Sequence, residues 1–583
     1  MKWLRHGWIS AALAITLFAV SVTFGFAYDD VHIIQNRPLL HSLGNWQEIL
    51  TAPWWIDALY RPLTMLTFAM DWAVGGGAPW VFHLVNVLLH AAVTYGVWLL
   101  ARPAGVVTAL VAAGLFAVHP VHVEAVANIV GRAELLATLA ALGAVLAVRW
   151  NGSVARLATL GFLIVGLAAK ETAFAIPGLL LITIWLSARV VGLPFGTHVR
   201  RHAGLVAIAV LLTGTWIAMR AGILGDVAGD HPAPGLEGLG LGARVIGMSP
   251  VIVQWVRLLV WPAALSVDYS PDHFSVATGM TLAGLAGFAV LAAATWWGWR
   301  ERARDPWITY GLLWMGGTLL VISNVLVPSG VLLAERSLYL PSVGAMLVLG
   351  RLAERALAAV PAARVRTVWA VIGVVVALGA ARSALRVPAW RDTNTTLTQL
   401  LTDAPRSFRA WWVAGISVWM DGDPVLGEDH FRNAIHVYPL WKGVWLDYGR
   451  LLERDGQWSR SAWAYAVAFE LDSSDAHAAA NAIVNYVRAG VADSARMLAD
   501  KAHRLQRSDY RVQIALSDLA LAEGRPLEAL TWRRQVAWRF PQVWQYWFLA
   551  AQAAHEAERC DEYRALAERV RALAPDRVMD PAC

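Results

Sequence analysis

Residues 7–30 read GWISAALAITLFAVSVTFGFAYDD, and the fold class follows from them. Residues 7–27 carry no charge and are long enough to cross a bilayer, which takes about 20 consecutive apolar residues. Lys2 and Arg5 precede the run, as in a signal peptide or a signal anchor. Gly25-Phe26-Ala27 is a poor cleavage site, so an uncleaved anchor is expected. Directly after it come Tyr28-Asp29-Asp30. Two carboxylates at the mouth of a span can take a proton from an acceptor or hold a cation. The plainer alternative is that they only end the span in water.

The rest of the chain extends this pattern. Of its 583 residues, 57% are hydrophobic and 15% charged, which excludes a single soluble domain and indicates a multi-span membrane protein. Apolar runs recur up to residue 387; beyond Pro388-Ala389-Trp390-Arg391-Asp392 the chain is charged and helical, with no run long enough to span. No basic cluster resembles a nucleic-acid patch, so the net charge of +6 is a topology signal.

Candidate spans lie at 7–27, 80–101, 104–119, 133–148, 154–169, 172–188, 203–222, 276–299, 306–327, 338–357 and 367–387, about eleven in all. With Lys2 and Arg5 in the cytoplasm, Arg102, Arg149, Arg156, Arg189, Arg200 and Arg201 alternate to the inside. Segment 245–263 decides the remainder. If it does not cross, Arg300, Arg302, Arg304, Arg351, Arg355, Arg364 and Arg366 also fall inside. Gln254 and Arg257 within it favour an interfacial or re-entrant helix, which puts the C-terminal half outside with Asp29 and Asp30. Arg61, Arg132, Lys170 and Arg336 are then left near the outer surface. Each either pairs with a neighbouring acid or joins a shared phosphate site, since a planar guanidinium holds phosphate by two parallel bonds.

The second half keeps a period. Pro405, Pro439, Ser473, Arg507, Pro541 and Pro575 are spaced 34 residues apart, the tetratricopeptide step. Trp411, Gly415, Phe431 and Ala434 fit the first unit, and Trp445, Gly449, Tyr465 and Ala468 the second. The last has Trp547, Tyr563 and Pro575. About five helix pairs over 405–575 should stack as a curved solenoid whose concave face binds extended peptide, followed by a tail at 576–583. Cys560 and Cys583 are the only cysteines, and outside the cytoplasm they either pair or stay as two free thiols.

Several strings together carry a resemblance: Tyr28-Asp29-Asp30, Tyr60-Arg61-Pro62-Leu63-Thr64, residues 82–90 (FHLVNVLLH), residues 116–134 (FAVHPVHVEAVANIVGRAE), Lys170-Glu171, residues 265–269 (LSVDY) and residues 335–342 (ERSLYLPS). With the repeats, the chain resembles the transmembrane-and-tetratricopeptide-repeat O-mannosyltransferases of the GT-C superfamily over nearly its whole length. The resemblance implies an all-α GT-C membrane domain at 1–392, its first outer loop at 28–79, and the repeat solenoid. It implies a polyprenyl-phosphate mannose donor and inverting transfer to serine or threonine hydroxyls on the outer face, with acceptor proteins held by the repeats. The catalytic base carries over to Asp29, with Asp30 as its partner and Glu124 in the same catalytic group. Arg336 is the first choice to hold the departing phosphate and Arg132 the second, joined by Arg61 and Lys170. His119, His122 and Glu335 are candidates to contact sugar or acceptor. His119, His122 and Glu124 form H-P-x-H-x-E, which can resemble metal ligands; a divalent metal there is possible but not favoured over a hydrogen-bonded scaffold for Glu124. His83, Asn86 and His90 read as packing groups, and Trp54 with Trp55 as an interfacial feature before a sugar platform. The implied location is a bacterial inner membrane with periplasmic repeats, or the endoplasmic reticulum with lumenal repeats. Two alternatives stand beside the enzyme: a membrane-anchored repeat scaffold without catalysis, and a glycosyltransferase acting on lipid or cell-wall glycan.

Overall fold

The structure, a computed structural model, describes residues 4–54, 59–150, 152–225, 233–271, 276–277, 279–326 and 329–577, with side chains from Gly7 onward. Regular structure among them is helical throughout. The chain divides into two units, Met1–Ala410 and Trp411–Cys583.

In the first unit seven helices are long and apolar enough to cross a membrane: Pro79–Ala104, Ile129–Ala147, Glu171–Val191, Phe195–Leu224, Leu241–Val260, Leu282–Glu301 and Ala362–Trp390. An eighth is the bent pair Val106–Val118 and Pro120–Ala127, which turns by 51° where Pro120 breaks the helix. This measure falls short of the eleven spans expected. The remaining expected positions are helices too, but Leu4–Phe18, Ser153–Ala169 and Pro306–Val321 are short, and Tyr339–Ala359 carries Arg351, Glu354 and Arg355. On Ala362–Trp390, Val371, Val374 and Leu378 stay exposed, as an apolar face turned to lipid does.

Helix ends sort into two poles. At one, Arg351 donates to Asp305 at 2.6 Å and to the Ala104 carbonyl at 3.2 Å, Arg355 pairs with Glu301 at 2.7 Å, and Arg149 lies over Trp307. At the other, the Gly25 N–H donates to the Arg391 carbonyl, the Tyr28 N–H to Thr393 Oγ1, Ser383 to the Val118 carbonyl and Arg382 to the Ala263 carbonyl. Asp29 and the segment entering the repeats therefore leave from the same pole. Leu241–Val260 also ends there, with the Leu259 carbonyl on His119. The preceding Phe195–Leu224 helix has its first turns among Val148, Trp150 and Arg156. Helix Leu241–Val260 packs on helix Leu282–Glu301. Its middle rests on Gly287, where a Cβ would stand 2.1 Å from the Ser249 carbonyl oxygen. Arg149, Arg351 and Arg355 share a pole.

From Phe408 onward the described residues form five helix pairs, beginning at Phe408, Lys442, Ala476, Tyr510 and Trp544, each 34 residues after the last; all but the first three residues of this array lie in the second unit. The turn inside each pair needs a left-handed residue, supplied by Gly422, Gly456, Gly490 and Gly524 and, in the last pair, by Glu558 at φ 56°. Trp445 and Trp547 donate their indole N–H to the Pro439 and Pro541 carbonyls, which explains why tryptophan and proline recur together. Phe431, Tyr465 and Tyr563 fill the space between helices against Ala434, Ala468 and Ala567. The question of Cys560 pairing falls on Cys583, which lies outside the described residues, as does most of the 576–583 tail.

Candidate active site

The loop leaving the first apolar helix turns at Tyr28, whose φ of 54° is rare for a residue with a side chain. Its two carboxylates then meet different surroundings. Asp30 is fully buried; Oδ2 accepts the Ala27 N–H at 3.1 Å and Oδ1 the Val130 N–H at 3.0 Å. It ties the first loop to the turn before Arg132, and burial pushes its carboxyl up to about 7. Asp29 is half-buried and has no hydrogen-bond or ion-pair partner among the described residues. Burial raises its pKa, opposed in turn by the charges of Arg336, Arg409, His32 and Arg61. A carboxylate without a partner, facing several cations, has the form a general base requires.

Glu124 sits on the short helix after Pro120 and binds Arg336 twice, through the backbone N–H at 2.8 Å and through the guanidinium. Burial works to lower the Arg336 pKa, but Glu124, Asp29 and Glu134 overcome it and hold the group charged. Glu335 beside it is buried and turned away: its Oε1 accepts the Ser266 N–H at 2.6 Å and the Tyr269 hydroxyl at 2.8 Å. Burial pushes that carboxyl up to about 8. Glu335 holds the 265–271 loop in place rather than facing a sugar. His119 and His122 are also committed. His119 Nε2 meets the Leu259 carbonyl while Nδ1 accepts the Val121 N–H; His122 bridges the Phe116 carbonyl and Ser342 Oγ at 2.8 Å each. Both serve as scaffold around Glu124. Among the described residues no group of three or more His, Cys, Asp or Glu is placed to hold a metal ion.

The remaining cations divide. Lys170 pairs with Glu134; burial lowers its pKa against the pull of that carboxylate. Arg61 reaches Glu171 through two nitrogens at 3.0 and 2.9 Å and lies over the Trp54 ring at 5.3 Å. The charges of both Arg61 and Arg336 act on Lys170, so the three stand near one another. Arg132 does not join them. It is fully buried, donating to Asn86, to Thr67 and to the Phe82 carbonyl, pairing with Asp71 at 2.5 Å and stacking on Phe68. Arg132 holds the fold, because every guanidinium nitrogen is already used. Asn86 completes that knot by donating toward the Val126, Asn128 and Ile129 carbonyls. Trp54 is buried against Phe68, and Trp55 lies outside the described residues.

The structure thus gathers Asp29, Glu124, Arg336, Lys170 and Arg61 with their acids Glu134 and Glu171, and sets Asp30, Arg132, His119, His122 and Glu335 around them as support. Sequence reasoning missed Arg409 and Asp268, which lie 3.8 Å apart; Arg409 follows the first repeat-phase proline, Pro405, by four residues, and that phase drew attention to the repeat instead.

No family model matches the chain. It is similar to the protein named Protein O-mannosyl-transferase Tmtc2 of Drosophila melanogaster, 39% identical over 183 residues, 28% of this chain and 20% of the fly protein. It is similar to Protein O-mannosyl-transferase TMTC3 of Mus musculus at 24% identity over 504 residues, 77% of this chain and 53% of the mouse protein. The matched stretches thus span about half or less of those curated relatives. Among solved structures, the one titled Functional Characterization of Pseudomonas Aeruginosa pilF aligns at TM-score 0.27 and 18% identity, over 32% of this chain and 84% of its own.

Proposed function

The chain is a relative of the transmembrane-and-tetratricopeptide-repeat O-mannosyltransferases, and on that premise we propose that it is a membrane glycosyltransferase. It moves mannose from a polyprenyl-phosphate donor to serine or threonine hydroxyls of proteins, and its repeats bind the acceptor. What carries this proposal is Asp29, a half-buried carboxylate with no protein partner among the described residues, surrounded by the charges of Arg336, Arg409 and Arg61. Asp29 takes the proton of the acceptor hydroxyl as its oxygen attacks the sugar's anomeric carbon. The bond from that carbon to the phosphate oxygen breaks, and its electron pair leaves with the phosphate. Attack opposite the leaving group inverts the anomeric carbon. Arg336, kept charged by Glu124 and Asp29, stabilises the charge that gathers on the phosphate. Comparing intact glycoproteins from cells with and without the chain tests the acceptor class: loss of hexose from serine and threonine of exported proteins is expected, and an unchanged glycoproteome overturns it.

Arg336→Ala is expected to raise donor KM about ten- to a hundredfold, the roughly 1.5–3 kcal/mol of a charge-assisted phosphate contact, with a smaller change in acceptor KM. Equal changes in both would mean that Arg336 only holds Glu124.

We also propose that Asp29 and the repeats face away from the cytoplasm. The pole opposite Asp29 gathers Arg149, Arg351 and Arg355, as the positive-inside rule requires of a cytoplasmic pole. A phosphatase fused after Cys583 is expected to be active, as only an exported reporter is. An inactive phosphatase in a stably expressed fusion would contradict the orientation.

A further inference from the structure

The basic residues around Asp29 are nearly all committed to protein acids. Arg336 is bound to Glu124, Arg61 to Glu171, and Lys170 to Glu134. Arg409 differs. It stands in the first turn of helix Phe408–Met420, within the first unit, with its side chain 19% exposed. Its nearest acid is Asp268, at 3.8 Å from Nε, too far for a hydrogen bond. Asp268 is itself supplied by others: Oδ2 accepts the Ser270 N–H at 2.8 Å and the Ser407 hydroxyl at 2.6 Å, and Oδ1 the Ser270 hydroxyl at 2.8 Å. Arg409 Nε is buried with no hydrogen-bond partner, and the guanidinium makes no other hydrogen bond among the described residues.

A buried, charged donor left without an acceptor is costly, and such a group in a native fold calls for a ligand. The position indicates which. Arg409 acts on Tyr28 and on Asp29 from the same surroundings as Arg336. It is held there at both sides: the Phe408 N–H donates to the Pro271 carbonyl at 2.9 Å, Ser407 anchors on Asp268, and the 265–271 loop is fastened through Tyr269 and Ser266 to Glu335, the neighbour of Arg336. The rigid fork of a guanidinium matches two oxygens of a phosphate.

We infer that Arg409 is a binding residue for the phosphate of the membrane-embedded, lipid-linked donor, beside Asp29 together with Arg336; the inference rests on the donor chemistry proposed above. Arg409 meets Asp268 only at 3.8 Å, without a hydrogen bond, so it need break no hydrogen bond to the protein to take phosphate, whereas Arg336 has to share its guanidinium with Glu124.

The test uses the full chain in lipid nanodiscs and follows binding of a short polyprenyl monophosphate, with inorganic phosphate as a second probe. Arg409→Ala is expected to weaken lipid-phosphate binding about ten- to a hundredfold, and Arg409→Lys to recover part of it, since lysine restores charge but not the fork. Asp268→Asn separates this from a merely structural contact. It removes the competing negative charge and is expected to leave binding unchanged or tighter. Equal weakening by Asp268→Asn and Arg409→Ala, or native binding in Arg409→Ala, overturns the inference. So does inorganic phosphate binding as tightly as the lipid, which would make this a free-phosphate site. If Arg409→Ala does not fold, Arg409→Lys with native binding has the same force against a bidentate contact. A native protein that binds the lipid phosphate but transfers no sugar overturns the proposed function and leaves the inference standing. Normal donor KM in Arg409→Ala alongside sugar transfer does the reverse.

Discussion

Asp29→Asn is expected to slow sugar transfer by roughly 10²–10⁴-fold, the range a positioned general base supplies, while the protein folds and inserts normally. Asparagine keeps the shape but cannot accept the hydroxyl proton. Stability should change little, because the Asp29 side chain has no hydrogen-bond partner to lose among the described residues. The same residue fixes the pH dependence. Burial raises the Asp29 pKa above the ordinary carboxylate value, with Arg336 the foremost cation in opposition. The active form is deprotonated, so the rate should climb with rising pH through that raised pKa. Removing Arg336 withdraws an opposing charge, raises the pKa further, and should move the ascending limb to higher pH. A pH–rate profile of the native protein and of Arg336→Ala checks both signs; a limb that stays put in the variant would separate Arg336 from Asp29.

Arg132→Ala is expected to be the most destabilising single substitution at this pole, at about 3–5 kcal/mol. It leaves Asp71 buried without its cation and deprives Asn86 and the Phe82 carbonyl of a donor. The turn that Asp30 grips through the Val130 N–H lies directly before it, so damage should spread to the loop carrying Asp29. Replacing the pair together, Arg132→Met with Asp71→Leu, removes both charges and should restore much of the loss. Denaturant unfolding of the singles and the double closes the cycle. A single variant within about 1 kcal/mol of the native protein would mean that Arg132 is not the knot described here.

The helical class and the repeat register were legible in the sequence because each depends on periodicity. Apolar runs mark helices wherever they stand, and a 34-residue step fixes where Trp445, Gly449 and Tyr465 meet. Segment 245–263 was not settled by its sequence: Gln254 and Arg257 favour a helix that does not cross, whereas its length and hydropathy are those of a span. The number of spans was not legible in the same way, since short helices such as Ser153–Ala169 give the same apolar signal whether or not they cross.

The candidate site was read only in part. Asp29, Glu124, Arg336, Lys170 and Arg61 stood out as charges where charge is expensive, and the structure gathers them. Sequence cannot say which charges have found partners. Arg132 and Arg336 look alike in their strings, yet one is closed by Asp71, Asn86 and Phe82 and the other is held beside Asp29. Asp30 differs from Asp29 only in where the backbone N–H groups of Ala27 and Val130 point. Arg409 could not be found at all from spacing, because its neighbours Asp268 and Tyr28 are distant in the chain.

The central claim is tested most directly by supplying the purified full chain, in nanodiscs, with a radiolabelled polyprenyl-phosphate mannose and a serine- and threonine-containing acceptor peptide. The account predicts label on a peptide hydroxyl with inverted anomeric configuration, lost in Asp29→Asn. Label that never leaves the lipid, or that reaches the peptide equally well in Asp29→Asn, would contradict it.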